Sequence, residues 1–154
     1  MKEVMKEVVV EEPHKAEVRE VPVPELSGEN EVLIQMKSAG VCGSDHHIYH
    51  GLNPCSTYPR IPGHENAGVV VKAGSAVTNV KVGDHVIVDL ISTCGTCYQC
   101  RIGRKNVCEH VRVRGSGADG GWRAVSYTHL DVYKRQVGWP WCKGCSAAPI
   151  TKYN

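Results

Sequence analysis

Four cysteines constrain this chain more than any other feature: Cys94-Gly-Thr-Cys97-Tyr-Gln-Cys100, then Cys108 after a gap of seven residues. Thiols at this spacing can surround one ion tetrahedrally. Four-sulfur tetrahedral coordination selects zinc or an iron–sulfur centre. Such a site folds residues 94–108 into a lobe of their own. A closed four-thiolate site keeps no open position for a substrate, so it is structural, and any chemistry must be sought elsewhere in the chain.

The 154 residues suffice for one domain with a real core. A hydrophobic content of 42% and a charged content of 22% fit a globular protein. The net charge is only +2, and the basic residues are scattered. Nothing therefore points to nucleic acid or a membrane surface as partner. No apolar run approaches a spanning helix and no signal peptide opens the chain. Eight cysteines could build a disulfide framework, but four of them stand at metal spacing. A reducing, cytoplasmic setting is the expectation.

Short strand-like runs fill the first half: Val8–Val10, Ala16–Val21 and Val32–Lys37, broken by Pro13, Pro22, Pro24 and Gly28. Val69–Val71 and Val86–Val88 continue the style, and Val77–Val82 alternates weakly. No long helical periodicity is present. The expected fold is mainly β, a small barrel or sandwich. Gly115-Ser-Gly117-Ala-Asp-Gly120 spells a dinucleotide fingerprint, but no strand–helix–strand pattern surrounds it, so a Gly-rich loop is expected. Trp141-Cys142-Lys-Gly-Cys145 spells a redox motif without the context that would set its first thiol.

Two further clusters carry chemistry. One is Gly40-Val-Cys42-Gly-Ser44-Asp45-His46-His47; the other is Gly63-His64-Glu65-Asn-Ala-Gly68. Cys42 and His64 are typical zinc ligands, and Glu65 offers an oxygen beside His64. A mixed site of this kind, with a free position, is what a catalytic zinc needs.

Together these segments resemble the zinc-dependent medium-chain alcohol and polyol dehydrogenases, over about residues 5–123. The resemblance implies a GroES-like partial barrel with a four-Cys zinc lobe, spanning residues 1–123, with the lobe at 94–108 inside it. It implies a catalytic zinc at Cys42, His64 and Glu65, and a structural zinc at Cys94, Cys97, Cys100 and Cys108. By the same likeness Ser44 bonds the substrate hydroxyl, His47 relays its proton, and Asp45 orients His64. A further zinc ligand is expected from beyond residue 123. The implied parent is a homo-oligomeric oxidoreductase passing a hydride from a secondary alcohol, polyol or sugar acid to NAD or NADP. Its cofactor would be held by a Rossmann domain outside these residues, so this chain is expected to be a truncated, inactive copy. The alternative is a non-catalytic GroES-like zinc-binding module.

The likeness stops near Arg123. One allowed codon set for Val125–Gln136 is almost a perfect inverted repeat, as in two transposon-end adapters joined head to head. Residues 124–154 are therefore expected to be a foreign, disordered tail.

Overall fold

The computed structural model describes residues 4–128 and 132–134. In chain order its elements are β1 (Val4–Glu12), β2 (Lys15–Pro22), β3 (Val32–Ala39), α1 (Gly43–Tyr49), β4 (Asn66–Ala73), β5 (His85–Val88), β6 (Ile91–Ser92), α2 (Tyr98–Arg101), β7 (Arg112–Val113), β8 (Val125–Thr128) and β9 (Val132–Lys134). The fold is mainly β, as expected.

The five-stranded sheet runs in the order β8-β3-β4-β5-β9, with every neighbour antiparallel. Strand β3 is its centre of gravity: Val32, Leu33 and Ile34 are each 0% exposed. Burial of three successive residues means that both faces of β3 are covered, because side chains alternate across a strand. Val32 and Ile34 pack with Val70, Val80, Val86 and Val88 on one side. Leu33 packs with Met5 and Val125 on the other.

Strands β1 and β2 form a separate hairpin with Val8 opposite Val18. Its turn places His14 at φ 67, in the left-handed region that histidine tolerates better than most residues. The hairpin is stitched to the body by its backbone. Val8 donates to the Trp122 carbonyl at 2.8 Å, and Ala124 donates to that of Lys6 at 3.0 Å. Val10 and Arg60 exchange bonds of 2.8 and 2.9 Å. The His14 N–H donates to the Tyr49 carbonyl at 2.7 Å, which fixes the turn against α1.

Three features differ from the sequence reading. Residues 77–82 form no strand. Local turns take up their polar groups: Val77 donates to Gly74, and the Lys81 N–H donates to Asp84 Oδ2 at 3.0 Å. Val80 is buried in the core and Val77 packs half-buried against it, while Val82 is 61% exposed. Second, α1 was not foreseen. Third, part of the expected disordered tail is ordered strand: Val125–Thr128 pairs with β3, and Val125 is buried beside Leu33. The Trp141–Cys145 motif lies outside the described residues.

The Gly115–Gly120 segment is a loop, followed by β8 with no helix between. It leads into a run that lies along residues 61–63. Gly120 donates to Ile61, Gly121 to Gly63 and Trp122 to Pro62, at 2.7, 2.8 and 3.2 Å. The role of this run is to back the segment that carries His64.

Candidate metal centres

Strands β6 and β7 close the base of the lobe, pairing Ile91 with Val113 and Ser92 with Arg112. Above them α2 and a single 3-10 turn at Lys105–Val107 fold the four cysteines inward. The ligand atoms of Cys94, Cys97, Cys100 and Cys108 all lie within 4.8 Å of one another. The Sγ of Cys108 is 3.5 Å from that of Cys94 and 3.9 Å from that of Cys97. A tetrahedral ion with sulfur at 2.3 Å separates its ligands by roughly 3.8 Å, whereas a disulfide would need about 2.05 Å. The spacing fits four thiolates around one zinc.

Backbone amides face the sulfurs. The Cys97 N–H donates to Cys94 Sγ at 3.3 Å, His110 to Cys108 Sγ at 3.3 Å, and Cys94 to Cys108 Sγ at 3.4 Å. Donation from the Cys97 amide, helped by the hydroxyl and amide of Thr96, brings the Cys94 thiol down to about 5. Cys97 is lowered as well, first by the Cys100 amide. Cys100 goes the other way: desolvation, reinforced by the neighbouring thiols, pushes it up to about 12. Arg101, Arg104 and Lys105 are exposed, as on a solvated loop face.

The second centre is assembled from two distant segments. Cys42 caps the N-terminus of α1, and His64 and Glu65 enter β4. The ligand atoms of these three residues lie within 4.8 Å of one another. Cys42 and His64 are half-buried and Glu65 is exposed. Among the described residues no fourth protein ligand joins them. A mixed S, N, O donor set with one open position fits a zinc that works on a substrate.

Asp45 joins the two segments. It is 2% exposed. Its Oδ2 accepts from the Cys42 N–H at 2.9 Å, and its Oδ1 from the Gly63 N–H at 3.0 Å. The same Oδ1 lies 3.6 Å from His64 Nδ1, a longer contact than a hydrogen bond. Reaching back from the third helical position to the capping amide is half of a capping box, and it starts a helix too short to show periodicity. One carboxylate thus holds the Cys42 loop to the His64 loop.

Ser44 and His47 stand three residues apart on α1, so they share a helix face. Ser44 is half-buried and His47 is exposed. A cleft of about 610 Å³ opens beside His64 and Glu65, lined also by Ser38, Ile87, Asp89 and Leu90. Sequence reasoning missed Trp122, whose indole N–H donates to the Gly40 carbonyl at 3.1 Å, and Asn66, whose amide donates to the Gly63 carbonyl at 3.1 Å. Both brace the metal-bearing loops from positions that no local motif marks.

The profile of the family described as "Alcohol dehydrogenase GroES-like domain" matches residues 28–145. An uncharacterized zinc-type alcohol dehydrogenase-like protein of Haemophilus influenzae is 51% identical over 126 residues, covering 81% of this chain and 36% of the relative. The L-galactonate-5-dehydrogenase of Escherichia coli is 42% identical over 104 residues, covering 68% of this chain and 30% of the relative. A solved alcohol dehydrogenase from E. coli CFT073, complexed with NADH, superposes with a TM-score of 0.79 at 40% identity, covering 86% of this chain and 39% of that one. The chain thus spans about a third of the length of the proteins it matches. With its β fold, its sulfur lobe and these likenesses in agreement, the chain belongs to the zinc-type alcohol dehydrogenases, through their GroES-like domain.

Proposed function

We propose that this chain is the catalytic portion of a zinc-dependent, NAD(P)-linked dehydrogenase acting on a secondary alcohol, polyol or sugar acid. Cys42, His64 and Glu65 hold one zinc; Cys94, Cys97, Cys100 and Cys108 hold the other. When bound, the first zinc supplies Lewis acidity to the substrate hydroxyl and eases loss of its proton near neutral pH. Ser44 accepts the hydrogen bond of that hydroxyl. His47, on the same helix face and open to water, carries the proton to solvent. Asp45 fixes the spacing between the Cys42 and His64 loops through its two amide bonds. NAD(P), if held by another domain of the parent enzyme, would supply the hydride acceptor, and the 154 residues alone are expected to turn over no alcohol. Residues from about 125 onward are a foreign tail; resequencing the locus from unamplified DNA tests this, and an intact reading frame through the stretch refutes it.

The observation that carries the reading is the convergence of Cys42, His64 and Glu65, the last two of which line an open cleft. The sugar-acid relative and the NADH-bound structure support the substrate and cofactor classes. Zinc counting tests it. The purified chain is expected to hold two zinc ions and the Cys42→Ala variant one. Two in both, or one in both, removes the second centre. Reduction of NAD above background by the chain alone would overturn its assignment as inactive.

A further inference from the structure

Three imidazoles gather where the β1–β2 turn meets α1. His46 and His50 stand one helical turn apart, at the last turn and the C-cap of α1, with ring centroids 4.1 Å apart. His14 comes from the hairpin turn, and its ring centroid lies 4.6 Å from that of His50. Tyr49 closes one flank, its ring edge-on to His14 at 5.6 Å and to His50 at 5.2 Å. Two bonds pin the turn to the helix. The His14 N–H donates to the Tyr49 carbonyl at 2.7 Å, and the Tyr49 hydroxyl donates to the His14 carbonyl at 2.9 Å.

Among the described residues no ring nitrogen of His14, His46 or His50 enters a hydrogen bond or an ion pair. Their lone pairs are therefore unspent. Partial desolvation, and then the nearness of His46, His14 and His47, hold the His50 imidazole below its ordinary value. This ring is neutral at neutral pH. Neutral imidazole is a favoured donor for nickel, copper and zinc, and two histidines at i and i+4 on one helix can grip a single ion. An ion roughly 2.0–2.1 Å from two ring nitrogens sets the ring centroids about 5 Å apart, close to the 4.1 and 4.6 Å found here. His14 and His46 both touch His50 and both are exposed, so rotation of their side chains brings all three rings onto one ion.

We propose that His14, His46 and His50 form a further metal site, which takes one divalent transition-metal ion of the nickel, copper or zinc class. The ion ties the hairpin turn to α1, the helix that carries Ser44 and His47. The site shares no ligand with the two centres described above.

The test is titration of the zinc-loaded chain with Ni²⁺, read by calorimetry, with zinc content measured at each point. One saturable nickel per chain is expected, without loss of zinc. His46→Gln and His50→Gln should each weaken nickel binding by about tenfold or more. His14→Asn, which keeps a residue at ease in the left-handed region, should weaken it by about tenfold. Nickel should raise the melting temperature of the unaltered chain more than that of His14→Asn, because only the former is tied across to the hairpin. His46 is exposed, so its variant tests the site even if His50→Gln fails to fold. No saturable binding, nickel that enters only as zinc leaves, or unchanged affinity in His46→Gln overturns the site. Unchanged affinity in His14→Asn overturns it as well, since the hairpin then supplies no ligand.

Discussion

The indole N–H of Trp122 donates to the carbonyl of Gly40 at 3.1 Å, a contact that spans 82 residues of sequence. It holds the segment leaving β3 against the 120–122 run, which in turn is bonded to residues 61–63 just before His64. The packing leaves no room at either end. A Cβ on Gly40 would lie 2.3 Å from Glu65 Oε2, and one on Gly63 would lie 2.1 Å from the Trp122 ring. Gly63 also has φ +91, which disfavours any other residue.

Gly40→Ala is therefore expected to push the Glu65 carboxylate away from Cys42 and His64. Zinc at the mixed centre should weaken by about tenfold or more, while the four-thiolate site keeps its ion. Competition with a chromophoric chelator separates the two classes. Unchanged affinity in the weaker class would show that Glu65 contributes nothing there.

Asp45→Ala should be more damaging than Asp45→Asn. Alanine leaves the buried amide of Gly63 without its acceptor, at a cost of about 1–3 kcal/mol, and the part-buried amide of Cys42 without its own, at a smaller cost. Asparagine keeps one oxygen and can serve one of them. Denaturant melts of the two variants give the order directly. Equal stabilities would mean that Asp45 does not tie the loops together.

How much of this was legible in the sequence depended on distance along the chain. The four-Cys lobe was readable because its ligands lie within fifteen positions of one another, and local spacing carries the whole geometry. The core strand β3 was readable from its run of large apolar residues. The grouping of Cys42 with His64 came only from likeness to a family, since no spacing rule links residues so far apart. Helix α1 is a single short segment whose start depends on Asp45 reaching back to Cys42, so it leaves no periodic trace. Val77–Val82 alternated like a strand, yet the Asp84 side chain captured the Lys81 amide and turned the segment into a loop. The imidazole cluster gathers residues 14, 46 and 50, and the turn that supplies His14 lies far from α1 in one dimension.

The thiols of the lobe make a pH prediction with a definite sign. Zinc binds thiolates, so protons compete with it. Cys100, pushed up to about 12, is protonated at neutral pH and must release its proton when zinc enters. Cys94, brought down to about 5, is already ionised above that pH and has none to release. Between about pH 6 and 8 zinc affinity should therefore rise with pH, with at least one proton released per ion. Calorimetry in buffers of different ionisation enthalpy counts those protons. Affinity that stays flat across the window would contradict the assignment.

The docking of β8 yields the last prediction. Val125 is 6% exposed and packs with Leu33 and Met5 under the β1–β2 hairpin. Val125→Asp would bury a carboxylate there with no cation in the cluster, and should destabilise the fold by several kcal/mol. Ile87 faces outward from the same sheet at 56% exposure, so Ile87→Asp should cost far less. Leu33→Ala, which opens a cavity in the same cluster, should cost about 2–5 kcal/mol. If Val125→Asp melts like Ile87→Asp, the 125–128 segment is not seated on β3 in solution. The free edge of β3 would then be open to water or to another chain.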